Sequence, residues 1–583
     1  MRYHRTDDFS QTRIAYFSME IALQSEIPTY SGGLGVLAGD MLRSAADLEI
    51  PMTGISLVHH LGYFRQHLDA KGNQTGEAER WNPADFAEPT NVRVSVRLEG
   101  RIVAITAWRY RLQGISGGSV PVYLLDTDLP ENTDYDRTLT NELYGGDQRY
   151  RLMQEAVLGL GGAELLDELG YTNISSYHMN EGHAALLAIG LLERIAGGGR
   201  AEEREIEAVR HRCVFTTHTP VPAGHDQFPR SFAHSILGAG PAELLDTAQC
   251  FQGDLLNMTF LALRFSRFIN GVAMRHGEIS ASMFPQYPVR AITNGVHAGS
   301  WTSAPFRALF DRFLPGWRYD NLCLRYAIRI PLPEIEAAHR SAKQQMLGEI
   351  RKRYDVALDE NVFTIGFARR AAAYKRADLL FSDIERLRRI AHSAGPMQVL
   401  YAGKAHPQDE GGKDMIRRVF AAAGALAGSE IRIVYLNNYE IELASFLTSG
   451  VDLWLNTPLR PHEASGTSGM KAALNGIPSL SVLDGWWVEG CHEGLTGWAI
   501  GEREAAPDDA RESASLYDKL ENVILPMYRR GGTAYAEIMR SVISVNASFF
   551  NTNRMLGQYL GDAYFPREEE SSLKPCSNTQ ATA

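Results

Sequence analysis

Cysteine is scarce in this chain of 583 residues: Cys213, Cys250, Cys323, Cys491 and Cys576 are odd in number, widely scattered and form no CxxC pair. A disulfide-stapled fold and a thiolate metal site are therefore not expected; free or buried thiols in a reducing compartment are. Long apolar runs are missing as well. The longest, residues 184–192, stops at Glu193, far short of the roughly 18 to 20 residues that cross a bilayer, so no membrane partner is expected. Basic charge is in deficit, with 58 Lys and Arg against 69 Asp and Glu and a formal charge of −11. That balance repels a phosphate backbone and argues against nucleic acid as a partner. The opening MRYHRTDDFSQ puts Asp7 and Asp8 where a secretory signal needs its apolar core, which predicts a cytoplasmic protein.

What is present is an ordinary globular composition, 44% hydrophobic and 22% charged, on a chain long enough for more than one domain. Short apolar runs at residues 362–367, 397–402, 431–436, 451–455 and 477–483 read as buried strands. Segments with helical periodicity separate several of them, such as 377–392 with Leu379, Leu380, Ile384, Leu387 and Ile390 on one face. This is the βαβ pattern of a parallel, doubly wound sheet. The first half carries strand candidates at 13–17, 52–58, 120–125, 175–179, 213–217 and 289–293. It also has a hairpin pattern, 92–98 alternating, a turn at Glu99-Gly100-Arg101, and alternation again from Ile102. The reading is α/β with two domains, 1–297 and 298–565, and a polar, flexible tail over 566–583.

In open parallel sheets ligands bind beyond the carboxyl ends of the strands. Those positions in the second half hold Arg369, Arg370, Tyr374, Lys375 and Arg376, then GKAH at 403–406, then Asn437, Asn438 and Tyr439, then Arg460, His462 and Glu463. Cations clustered on an acidic chain predict an anionic ligand. The run EASGTSGMK from Glu463 to Lys471 supplies backbone N–H groups and hydroxyls ahead of a helical segment, 470–474, as phosphate cradles do. It does not match GxxxxGK[ST], since Ala472 follows the lysine, which rejects a P-loop NTPase. Lys471 is then either a solvated lysine at a Gly/Ser-rich helix start or the Schiff-base lysine of pyridoxal phosphate. Gly32-Gly33-Leu34-Gly35 is either a close backbone approach to a ligand or a plain tight turn. His178-Met-Asn-Glu181-Gly-His183 fits neither HExxH nor HxxEH, so no metal is expected. His218 ends a strand candidate, as a structural or a substrate-facing histidine.

Taken together, these motifs resemble the α-glucan (glycogen, starch, maltodextrin) phosphorylase family. EASGTSGMKAALNG at 463–476 resembles its pyridoxal-phosphate lysine motif and RAAAYKR at 370–376 its phosphate-binding segment. YFSMEIA, SGGLGVLAGD, HMNEGHAAL, TTHTPVPAGHD and TNGVHAGSW follow in the family's order. The resemblance runs from about Arg13 to Phe565 and is closest to the short bacterial branch.

The resemblance implies a GT-B fold, two Rossmann-like domains facing across a cleft, and an α-1,4-glucan phosphorylase releasing α-glucose 1-phosphate with retention. Lys471 would carry pyridoxal 5′-phosphate, with Gly466, Thr467, Gly33 and Tyr439 near the cofactor. Arg370 and Lys375 would bind inorganic phosphate. Glu463, His218 and Asn294 would hydrogen-bond the terminal glucosyl unit, and His183 would line the sugar or cofactor site. Lys471, Arg370, Lys375 and His218 form the catalytic set, the partners are α-1,4-glucan and inorganic phosphate, and a homo-oligomer is compatible with this reading. The chain departs from the family at Arg369, commonly Lys, at Ala372-Ala373, commonly His-Glu, and at Ser468-Gly469, commonly Gly-Asn. One alternative is a nucleotide-sugar-dependent glucan synthase, whose E-x7-E pair would place its second glutamate at position 471, a lysine here. The other is a non-catalytic glucan-binding homologue.

Overall fold

The computed structural model describes residues 11–565 except 198–199, 222–223, 504–505 and 532; the expected flexible tail and Cys576 lie outside that range. Two parallel sheets dominate. In the second half six strands, Phe363–Ala368, Met397–Ala402, Ile431–Leu436, Leu453–Asn456, Ser479–Val482 and Gly497–Ile500, lie in the spatial order 3-2-1-4-5-6, all parallel. That order reverses the winding between Phe363–Ala368 and Leu453–Asn456, so the segments leaving these two neighbours part and open a crevice. Both strands are fully buried, as largely apolar strands are when helices cover both faces.

The first half builds a ten-stranded sheet around Ile14–Ser18, which pairs in parallel with Met52–Leu57 on one side and Ser176–Asn180 on the other. Cys213–Thr216, Phe268–Gly271 and Val289–Ala291 extend it in parallel beyond Ser176–Asn180. Ser119–Asp126 extends it in parallel on the other edge, followed by an antiparallel margin of Arg101–Gln113, Val94–Leu98 and Glu88–Pro89. The expected hairpin is present and tighter than its sequence suggests. Leu98 pairs with Arg101 across a turn of Glu99 and Gly100, both at positive φ, +50° and +77°, the handedness that suits twisted strands. Glu99 tolerates that backbone because Arg149 and Arg101 hold its carboxylate.

One expectation needs correction, and two strands went unread. The segment 377–392 is not one helix: a short turn, Leu379–Phe381, ends before Asp383, whose carboxylate accepts from Arg386 N (2.8 Å) and caps a separate helix, Ile384–Ala394. Phe268–Gly271 and Gly497–Ile500 are strands that carry no strong apolar pattern. The chain also returns to the first sheet at its end. Thr552 N donates to Val296 O (3.0 Å), Tyr559 OH contacts Thr216 Oγ1 (3.0 Å), and Tyr564 OH contacts His178 Nδ1 (2.6 Å). Met555, Leu556, Tyr559 and Tyr564 complete a core with Ile14, Tyr16 and Val214, which buries apolar surface the first sheet would otherwise expose. Among the described residues no helix is long and apolar enough to cross a membrane.

Candidate active site

Both sheets aim the carboxyl ends of their strands at one cleft of about 1210 Å³. From the first half come Gly33, His183, His218 and Asn294; from the second come Arg370, Lys375, Tyr439, Glu463, Gly466, Thr467 and Lys471. These eleven residues, named from the sequence as the catalytic, cofactor and substrate set, thus line a single cavity, although they come from segments up to several hundred residues apart. Arg376, in the same motif as Arg370, is not in the wall. Its guanidinium is buried and donates to Thr457 O and Pro458 O at 2.9 Å, which fastens the segment after one strand to the segment after its neighbour.

Lys471 sits on a short helix, Ser468–Ala473, two residues longer at its start than the sequence suggests. The preceding glycines have separate reasons. Gly466 takes φ +81°, and at Gly469 a Cβ would stand 2.7 Å from the Trp486 ring. Lys471 is 6% exposed and its Nζ lies 3.8 Å from the centre of the Trp301 ring, a cation–π contact. It forms no ion pair among the described residues. Burial pulls its ammonium down to about 8, which brings the free amine closer to neutral pH than an exposed lysine allows.

Glu463 is held differently. Lys375 Nζ donates to its two oxygens at 2.9 and 2.7 Å, and Arg369 pairs with the same carboxylate. Burial alone would raise this acid, but the two cations hold it at about 2. Behind it, Asp484 accepts from Glu463 N (2.9 Å) and Gly485 N (3.0 Å), while burial pushes its own carboxyl up to about 6. Arg369, at one of the positions where the chain departs from the family, therefore clamps Glu463. Arg370 is exposed to the cleft and forms no ion pair among the described residues.

The first-half wall is made of neutral hydrogen-bonding groups. His218 Nε2 donates to Asn180 Oδ1 at 2.6 Å, and burial lowers its pKa to about 3, which keeps the ring neutral. Glu181, at φ +72°, accepts from Gly182 N, His218 N and Thr219 Oγ1, so it braces two strand-end segments. The glycine-rich turn hangs on Glu20, which accepts from Ser31 N (2.6 Å), Gly32 N (3.2 Å) and Tyr144 OH (2.8 Å). The 15-residue helix Gly33–Asp47 begins there, and a Cβ at Gly33 would meet nothing within 4 Å.

Sequence reasoning missed one cluster in this wall. Arg151 Nε lies 3.1 Å from Asp226 Oδ2 and 3.4 Å from Glu155 Oε1, and its NH2 group is 3.3 Å from His183 Nε2. Burial, reinforced by Asp226, pushes Glu155 well up, and burial lowers His183 to about 4. Arg151 and Glu155 stand four apart, the spacing of a routine surface pair, and nothing in the pattern marks them as buried.

Whether these residues suit a phosphate-bearing cofactor can be judged from their unused groups. Buried Ser465 Oγ and Arg369 Nε and NH1 have no hydrogen-bond partner, and both residues belong to the cleft wall. Unpaired buried donors are costly unless a ligand uses them. Together with a counter-ion-free lysine and the open space at Gly33, they fit an anionic group carried beside Lys471.

A family model described as carbohydrate phosphorylase matches residues 242–494, which contain Asn294, Arg370, Lys375, Tyr439, Glu463 and Lys471. A maltodextrin phosphorylase of Thermococcus litoralis is 37% identical, over 94% of this chain and 70% of its own. A glycogen phosphorylase of Mycobacterium tuberculosis is 36% identical over 95% and 71%, and one of Aquifex aeolicus 33% over 97% and 87%. With identity sustained through both halves of the cleft, the chain belongs to the carbohydrate phosphorylase family.

Proposed function

We propose that this chain is an α-1,4-glucan phosphorylase, which moves the terminal glucosyl unit of a maltodextrin or glycogen onto inorganic phosphate and releases α-glucose 1-phosphate. The observation that carries the reading is the opposition of two walls: Lys471, Arg370 and the Lys375–Glu463–Arg369 cluster on one side, neutral His218 and the unpartnered Asn294 amide oxygen on the other. The architecture is read as GT-B, two Rossmann-like domains of about 1–297 and 298–565, with 551–565 docking back on the first. The four described cysteines are free thiols, which supports action in the cytoplasm.

Lys471 would hold pyridoxal 5′-phosphate, with Gly466, Thr467, Gly33 and Tyr439 around it; when bound, the cofactor supplies a phosphate group that can exchange a proton with the substrate phosphate. The chain's own residues set the rest. Breaking the glycosidic bond needs a proton on the leaving 4-oxygen and stabilisation of an oxocarbenium-like centre. Glu463, held at about 2, cannot deliver that proton near neutral pH. Asp484 spends both oxygens on backbone N–H groups. As the family resemblance implies, the proton would come from the substrate phosphate, which Arg370 and Lys375 would bind and orient through charge-assisted bonds. Glu463, His218 and Asn294 would fix the sugar by hydrogen bonds, and His183 would extend that wall.

Incubation with maltodextrin and inorganic phosphate should release α-glucose 1-phosphate, and the reverse reaction should extend a primer from it. Glucan extension from ADP-glucose or UDP-glucose without phosphorolysis would overturn the reading in favour of a synthase; inert holoprotein would leave a glucan binder. Arg370→Ala should raise the phosphate requirement by roughly one to two decades, since a guanidinium that forks two oxygens contributes about 1.5 to 3 kcal/mol. Wild-type phosphate dependence in that variant would remove Arg370 from the site.

A further inference from the structure

A small hairpin of the first half, Arg65–Leu68 with Gln74–Glu77, belongs to neither large sheet. A two-stranded ribbon of this size has little stability of its own, and it rests against the second half. Gly72, at φ +79°, lies against Phe420, where a Cβ would stand 2.6 Å from the ring, and Leu68 packs on Ala371, Ala405 and Ile416. Lys404 Nζ donates to Phe64 O (2.8 Å) just before the hairpin, and two glutamines make the polar contacts of the hairpin itself. Gln66, 1% exposed, donates through Nε2 to Gly403 O (2.9 Å) and to Gln74 Oε1 (2.8 Å), and accepts at Oε1 from Asn438 N (2.9 Å). Its backbone N–H donates to Asn438 Oδ1 (3.1 Å). Gln74 donates to Ala405 O (2.8 Å) and accepts from Ala405 N (2.9 Å). A primary amide carries the donor and acceptor of a peptide, so Gln74 pairs with Ala405 as a neighbouring strand would.

The opposite side of the same segment carries the cleft cations. Arg369 N donates to Ala402 O (3.0 Å) and Ala371 N to Lys404 O (2.9 Å), and Ala371 bridges to Ala405. The fit is close: a Cβ at Gly403 would stand 2.0 Å from Arg369 O. Asn438, in a left-handed conformation at φ +53°, directly precedes Tyr439 in the cleft wall. The order of contact is thus hairpin, then 403–405 and 438, then Arg369, Arg370 and Tyr439.

We infer that Gln66 and Gln74 are positioning residues of the reaction: by holding 403–405 and 438 from the far half of the molecule, they set the place of the Arg369–Lys375 segment that binds phosphate. This rests on the proposed phosphorylase reading for the identity of the anion, while the mechanical link stands apart from it. Two halves whose relative placement governs an anion site need such a tie, and neither glutamine touches the cleft.

The test is the double variant Gln66→Met, Gln74→Met in the full-length holoprotein, which keeps side-chain volume and removes the bonds. Hydrogen exchange should show protection lost at the amides of 369–376, 403–405 and 438, with the first sheet unchanged. The KM for inorganic phosphate should rise by about tenfold to a hundredfold, the scale of a small misplacement of binding groups, with the KM for maltodextrin moving less than about twofold. Gln74→Glu, which keeps the acceptor for Ala405 N and loses the donor, should fall between; if the double variant does not fold, Gln74→Met alone gives the same comparison. Exchange changes confined to residues 64–77, or an unchanged phosphate KM, would overturn the inference. Absence of phosphorolysis in the wild-type chain would instead defeat the proposed function, and the exchange result would then decide the link by itself.

Discussion

Replacing Lys471 by alanine is expected to abolish phosphorolysis, by a factor on the order of 10⁴ or more, as when one member of a catalytic unit is removed. The fold should survive, because Lys471 forms no ion pair among the described residues and its removal strands no counter-charge. Wild-type protein reduced with borohydride should yield one phosphopyridoxyl-labelled peptide, the one containing Lys471, and the Lys471→Ala protein should lose the label together with its near-ultraviolet absorbance. Loading of cofactor-free protein with pyridoxal 5′-phosphate should quicken as pH rises through about 8, where the buried ammonium gives up its proton. A label on another lysine, or full activity in the alanine variant, would end the assignment.

The second large effect is structural as much as catalytic. Glu463→Gln leaves Arg369 and Lys375 buried against each other with no anion between them, and breaking a buried pair by removing one partner costs about 3 to 5 kcal/mol. Denaturant unfolding followed through the tryptophans of the second half should register that loss, with phosphorolysis falling alongside it. The pH dependence gives an independent check. The folded pKa of Glu463 is depressed from 4.5 to about 2, so its stabilisation is complete above 4.5 and fades as pH falls toward 2. The wild type should lose stability across that interval and the glutamine variant should show a shallower loss. Equal acid sensitivity in both proteins would mean that the cluster does not carry the charge assigned to it.

The legible part of this molecule follows from strand ends. Residues 397–402 and 431–436 are strands with the bounds their apolar runs suggest, and polar residues directly after such runs fall into the crevice by topology alone. Arg370, Lys375, Tyr439 and Glu463 could be found that way, and Lys471 by the glycine-rich turn before its helix. The rest depends on distance along the chain. Phe268–Gly271 and Gly497–Ile500 are four residues long and contain glycine, too little for periodicity to register. The Asp383 cap was a readable breaker inside an otherwise helical pattern. The Arg151–Glu155–Asp226 cluster and the Gln66–Asn438 pairing join residues 71 to 372 positions apart, apart from the short Arg151–Glu155 step, and local patterning holds no trace of such contacts.

The return of the last helices to the first sheet has a consequence for synthesis. Tyr559 and Tyr564 supply hydroxyls to Thr216 and His178 in the centre of that sheet, and Thr552 meets Ser44 Oγ at 2.6 Å. A ribosome adds about 5 to 20 residues each second, so the first half leaves the exit tunnel and waits on the order of tens of seconds before its closing piece exists. During that wait Tyr16, Ile14 and Val214 lack part of their cover, and buried His178 Nδ1 lacks its Tyr564 partner. The nascent chain is therefore most prone to aggregate, and most in need of a chaperone, after its first sheet has formed and before residue 565 emerges; supplying 551–565 in trans to a stalled chain should shorten that exposure.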